Sequence, residues 1–210
     1  MLNRRTGVTA WLLALTLLRG SEALAQPVAS PRSWLQTRQV AITRILQGAG
    51  APNPPGPPPR QVARIIDGMF DLDDLARRML GPYWDPRTPQ ERRTFAALLR
   101  QLIDRNYERR LSDLLGYDLR YTFEQVAPGG DALVRVEARP HGDPRAEVTR
   151  AECQLQPRGA LWVVYDVILN GSSIVHSYRS AYTRIVRERG FAELIDRVRA
   201  RVRSGDALGP

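Results

Sequence analysis

Leu161-Trp162-Val163-Val164-Tyr165-Asp166-Val167-Ile168-Leu169 is the stretch on which the fold turns. Apart from Asp166 it is wholly apolar or aromatic, and Val163, Val164, Val167 and Ile168 are β-branched. Such side chains suit a pleated, buried surface, and a run this short between turn residues reads as a strand rather than a helix. Strict alternation places Asp166 on one face with Trp162, Val164 and Ile168. Upstream, Tyr117 to Val126, Ala132 to Ala138 and Glu147 to Gln156 have the same character. Pro128-Gly129-Gly130, Pro140 to Pro144 and Pro157-Arg158-Gly159 separate them, and connections this short favour antiparallel hairpins. The prediction is a four-stranded antiparallel sheet with an apolar face that other elements must cover.

Helical patterns flank the strands. Thr88-Pro89-Gln90-Glu91 is a capping box with proline at the first helical position. It opens a helix over 88–115 carrying Phe95, Leu98, Leu99, Leu102 and Ile103, then Leu111, Leu114 and Leu115. Asp71 reads as the N-cap of a helix over Leu72 to Leu80, stopped by Gly81-Pro82. Val62, Ile65, Ile66, Met69 and Phe70 keep helical spacing before it, as do Trp34, Leu35, Ile42, Ile45 and Leu46 near the start. Between those two patterns, Gly48 to Pro59 holds six prolines and reads as a stiff loop within one domain. Beyond the strands, Ser172 or Ser173 caps a helix that runs to Arg189. Gly190 ends it, and Phe191 to Val202 forms a last amphipathic helix with Leu194, Ile195 and Val198 inward. The fold class is therefore α+β: N-terminal helices, a curved sheet and C-terminal helices, an NTF2-like sheet with added helices enclosing an apolar cavity.

The two ends have other uses. Residues 1–25 read as a cleaved secretory signal: Arg4 and Arg5, an apolar run from Val8 to Leu18, and Ala23-Leu24-Ala25 as a cleavage site. The run is shorter than the roughly 20 apolar residues of a spanning helix, so the mature chain is expected to start near Gln26 and to be free of the membrane. Residues 26–203 form a single domain and 204–210 a flexible tail. Loss of Arg4, Arg5, Arg19 and Glu22 lowers the net charge from +9 to +7. All basic residues are arginine, a surface attracted to anionic membranes and acidic partners. Export argues against nucleic acid. Cys153 is the only cysteine, so no internal disulfide forms, and a small buried role is expected for it.

Catalytic constellations are missing. His141 and His176 are the only histidines, and neither neighbours a cluster of Cys, His or acids, so no metal or cofactor is expected. There is no GxSxG elbow and no phosphate loop. Asp73 and Asp74 sit at a helix start, where the dipole favours carboxylates. Asp166 alone invites a chemical reading, as the buried base of an NTF2-like enzyme. The competing reading is a structural carboxylate held by Tyr178 or Arg179 on the next helix. A third reading is an adaptor that binds other proteins through its basic surface.

Tyr165-Asp166-Val167, Gly171, Tyr178-Arg179-Ser180 and Arg189-Gly190-Phe191 with Leu194-Ile195 resemble the C-terminal signature of the toluene-tolerance (Mla) phospholipid-binding family. Phe70-Asp71, Leu75-Ala76-Arg77, Leu80-Gly81, Trp84 and Thr88-Pro89 with Phe95 are similar to its N-terminal signature. Ser172 and His176-Ser177 depart from the family pattern, and the Pro-rich loop is longer. The resemblance implies a monomeric, non-enzymatic periplasmic carrier that holds a phospholipid by its acyl chains. Its partners would be an inner-membrane MCE-domain ABC transporter and an outer-membrane lipoprotein complex, with transient membrane contact and hopanoid as the alternative cargo. The cavity is expected between the 88–115 helix and the sheet. Phe95, Leu99, Leu102 and Ile103 would form one wall, Val134, Val136, Val164 and Ile168 the other, and Tyr178 and Tyr182 would close one side.

Overall fold

The computed structural model describes residues 29–48, 59–110, 113–143 and 145–204, the side chains of 106–114 apart. The signal segment, nearly all of the Pro-rich loop, the side chains of Leu111 and Leu114, and the tail beyond Ser204 lie outside the described residues. Ser204 itself ends the last helix.

Helices α1 (Pro31–Gly48), α2 (Arg60–Asp67), α3 (Leu72–Leu80) and α4 (Pro89–Arg110) precede the sheet. The sheet holds β1 (Tyr117–Val126), β2 (Ala132–Pro140), β3 (Thr149–Arg158), β4 (Leu161–Leu169) and β5 (Ser172–Ser173), and α5 (Ile174–Arg189) and α6 (Phe191–Ser204) follow. The strands form an antiparallel meander in sequence order. There are five strands, not four. Asn170 and Gly171 both have positive φ, 47° and 84°, and such a two-residue turn reverses the chain tightly enough for Ser172 and Ser173 to pair back onto Leu169 and Ile168.

The expected caps form. Thr88 N donates to Glu91 Oε2 at 2.8 Å, and Glu91 N donates to Thr88 Oγ1 at 3.2 Å, which starts α4. Asp71 accepts from Asp74 N at 3.1 Å and starts α3. One expectation shifts: α2 stops at Asp67, so Met69 and Phe70 leave the helix. The Met69 carbonyl then accepts from Val164 N at 2.8 Å, and Phe70 bridges Val164 in parallel, stitching the helical half to the sheet.

A second stitch is polar. Asp74 accepts from Arg77 Nη2 and Arg78 Nε, both at 2.5 Å, and from Gln156 Nε2 at 3.2 Å. Arg78 also donates to Gln156 at 2.9 Å and lies 4.3 Å over the Tyr165 ring. Burial alone would raise the Asp74 carboxyl. Hydrogen bonds and charge from Arg78 and Arg77 outweigh it and hold the group below the ordinary aspartate value.

Candidate functional site

The interior is divided. One buried cluster joins α3 to α6 and holds Phe95, Leu99, Leu102, Tyr178 and Tyr182. A second lies on the sheet, where Ala132, Val134, Leu155, Trp162 and Val164 meet Trp34 and Leu35 of α1. A third lies between α1 and α2, around Ile42, Leu46, Val62 and Ile66. Phe70 packs against all three, Met69 against the second and third, and Ile103 against the first and third. The clusters therefore meet in a seam around Phe70.

The register decides which strand residues face that seam. Val134 pairs with Cys153 and Cys153 with Val167, while Ala132 pairs with Leu155 and Leu155 with Val164. Between Gln154–Asp166 and Leu155–Val164 the register shifts, leaving Tyr165 as the extra residue of a β-bulge. A bulge moves every later side chain to the opposite face. Val167 accordingly joins Val134, Val136 and Val164 on the inner face, and Ile168 turns outward opposite Glu152. The face shared by Asp166, Val164 and Ile168 in strict alternation does not exist.

The ten apolar residues expected around one cavity thus separate. Phe95, Leu99, Leu102, Tyr178 and Tyr182 belong to the helical cluster, while Val134 and Val164 belong to the sheet cluster with Val136 packed against it. Ile103 lies where the helical cluster meets the α1–α2 one, and Ile168 belongs to none of the three. The cover over the inner face comes from α1, whose Trp34 and Leu35 are buried there, whereas α4 packs on α3 and α6. The notable feature of the inner face is partial burial: Tyr121, Val136, Cys153 and Val167 pack against the sheet cluster yet retain accessible surface. Desolvation nonetheless pushes the Cys153 thiol up to about 11. It pushes the Tyr121 phenol up to about 12, with the neighbouring Cys153 charge adding to it.

These groups make stability fall at high pH. Ordinary values of 9.0 for the thiol and 10.0 for the phenol mean that the unfolded chain loses its protons first. Above about pH 9 the unfolded state therefore binds fewer protons, so folding free energy falls with rising pH until the folded groups also ionise. Burial raises Tyr178, to about 12, and Tyr182 in the same sense. The urea midpoint is expected to decline from pH 9 to 11, and Cys153→Ala to remove the earliest part of that decline. An unchanged midpoint over that range would contradict it.

Asp166 is occupied by structure, with partners other than those expected. It accepts from Val167 N at 2.7 Å, Ser173 Oγ at 2.5 Å and Val175 N at 3.1 Å, while Ser173 Oγ accepts from His176 N at 2.9 Å. The carboxylate and Ser173 together cap the start of α5. Neither Tyr178 nor Arg179 holds it. Arg179 instead lies against Gly81, where a Cβ would sit 2.7 Å from its Nε. The Tyr178 hydroxyl is buried without a hydrogen-bond partner. Among the described residues no three His, Cys, Asp or Glu side chains converge as a metal site requires.

An antiparallel meander with helices before and after it, and an apolar inner face left partly accessible, is an α+β fold built on one curved sheet. The model of the family described as "MlaC protein" matches residues 42–200, and the chain belongs to that family. The phospholipid-binding protein from Ralstonia solanacearum, solved in complex with a phospholipid, has the same fold. Its TM-score is 0.70 at 17% identity, over 84% of this chain and 99% of that one. No curated protein matches.

Proposed function

We propose that the protein is a periplasmic carrier that holds a phospholipid by its acyl chains in the seam between the inner sheet face and the helices. The observation that carries this is the divided interior: three cores meet at Phe70, and the apolar side chains along the junction remain accessible. Membership of the MlaC family and the phospholipid in the Ralstonia protein support the choice of ligand. Among the described residues no helix is long and apolar enough to cross a membrane, which accords with a chain released after signal cleavage.

The energetics set a condition on such a site. A buried methylene is worth about 0.8 kcal/mol against water, so two chains of roughly 15 methylenes carry on the order of 24 kcal/mol. A carrier extracts such a lipid only where its own lining is nearly as apolar as the bilayer, and transfer is then close to neutral. Val136, Val167, Met69 and Phe70, which keep accessible surface beside the sheet cluster, supply that lining, while Asp166 and Glu152 face away from it. A near-neutral balance can be tipped by partners, which suits exchange between an outer-membrane lipoprotein complex and an inner-membrane MCE-domain ABC transporter through transient membrane contact. Mass spectrometry of organic extracts from purified protein is the test. A stoichiometric two-chain phospholipid is expected. Hopanoid in its place would change the cargo, and a protein that carries no lipid would remove the carrier reading.

A further inference from the structure

A surface pocket lies where the link between α2 and α3 meets α4. It holds about 400 Å³ and is lined by Asp67, Phe70, Leu72, Ala97, Arg100 and Arg158, among others. One of these residues also belongs to the seam. Phe70 packs against all three buried clusters and is itself only half-buried, so its ring has the seam on one side and this pocket on the other. Leu72 and Ala96, also in the lining, pack against the helical cluster alone.

The backbone around Phe70 is tied on both sides. The Met69 carbonyl accepts from Val164 N at 2.8 Å, and Phe70 itself bridges Val164. Arg100 on α4 pairs with Asp67 at the end of α2, and Arg158 at the end of β3 pairs at 2.8 Å with Asp71, the cap of α3. A ring on a fixed backbone still turns about χ1 between staggered positions, and accessible side chains make such turns quickly. The pocket has room to receive it, because α4 presents only Ala96 and Ala97 beside Arg100 there. Its rim carries charges of both signs in contact with water. That suits a headgroup, which keeps its hydration while apolar chains cross the threshold of Phe70 and Leu72.

We propose, on the carrier reading above, that this pocket is the mouth through which acyl chains enter and leave the seam, with Phe70 as its side-chain gate. Turned inward, the ring closes the junction of the three clusters. Turned into the pocket, it opens that junction to the surface while the backbone keeps its ties to Val164 and Arg158.

The test plugs the mouth and reads lipid exchange. Ala97→Cys, exposed in the lining, is made in the whole protein carrying Cys153→Ala, so that a bulky, non-fluorescent maleimide meets a single thiol. Ala200→Cys, exposed on α6 and outside that lining, is the control. Phosphatidylcholine with a pyrene-labelled acyl chain is loaded from vesicles, and its return to unlabelled phosphatidylcholine vesicles is followed by fluorescence. Exchange is expected to fall to a small fraction of the Cys153→Ala rate when Ala97→Cys is labelled. It should keep that rate with Ala97→Cys unlabelled or with Ala200→Cys labelled. Phe70→Ala, which removes the ring that must leave its contacts at each opening, is expected to speed exchange about tenfold. Phe70→Leu serves if that variant fails to fold, and gives a smaller gain in the same direction. Undiminished exchange through labelled Ala97→Cys, equal slowing by the label at Ala200→Cys, or folded Phe70 variants that exchange no faster would each overturn the proposal. A parent protein that takes up no labelled lipid would instead remove the carrier reading, and the mouth with it.

Discussion

Asp166→Ala is expected to lower the melting temperature by on the order of 10 °C and to abolish no turnover. The carboxylate accepts from Ser173 Oγ and from the backbone N–H groups of Val167 and Val175. It thereby joins the last long strand to the first turn of α5. Losing a charged acceptor at a helix start costs about 2–4 kcal/mol, combining charge-assisted bonds with the cap. For a domain of this size each kcal/mol moves the midpoint by roughly 2–4 °C. Asp166→Asn keeps one acceptor oxygen and should do less harm. Ser173→Ala, which removes the cap on His176 N, should fall between them. Differential scanning calorimetry of the three variants checks the order. A reaction found in the parent protein and lost in a fully folded Asp166→Asn would make this residue a catalyst instead.

The capping residues at Asp71 and Thr88 and the bounds of β1 and β4 were legible because each rests on local chemistry. A capping box needs four residues, and a ten-residue alternation between turns needs no tertiary contact. The fifth strand was also legible in principle, since Asn170-Gly171 is a hairpin signal, but Ser172 and Ser173 are polar and read first as helix caps. The Tyr165 bulge left no mark. β4 is apolar on both faces, so its sequence cannot reveal where alternation slips, whereas Glu152, Gln154 and Gln156 fix the outer face of β3. The partners of Asp166 were misassigned for the same reason. With the bulge in place its carboxylate meets the chain reversal at Ser173 rather than a side chain one turn further along α5. Which helix covers the sheet depended on packing. Trp34 and Leu35 keep helical spacing, but nothing in that spacing says that they, rather than the longer α4, seal the inner face.

Tryptophan substitutions separate the two possible walls of the lipid site. Leu99 and Leu102, each 2% exposed, sit among α3, α5 and α6 beside Phe95, whose ring meets Tyr182 edge to face at 5.7 Å. Space is already filled there. Leu99→Trp or Leu102→Trp is expected to cost about 1–3 kcal/mol or more by overpacking, and any lipid lost would be lost with the fold. Val136 and Val167 are different. They lie on the inner sheet face beside partly accessible neighbours, so an indole there displaces ligand rather than protein. Val136→Trp and Val167→Trp should melt within a few degrees of the parent and carry little or no phospholipid. Ile168→Trp serves as the control on the same strand, because the bulge at Tyr165 turns that side chain to the opposite face. It should retain lipid. Melting curves and extracted lipid per mole of protein decide the matter for all five variants. If Leu99→Trp folded normally and emptied the protein, the site would lie against α4. If Val136→Trp unfolded it, the sheet face would be a closed core with no room for acyl chains.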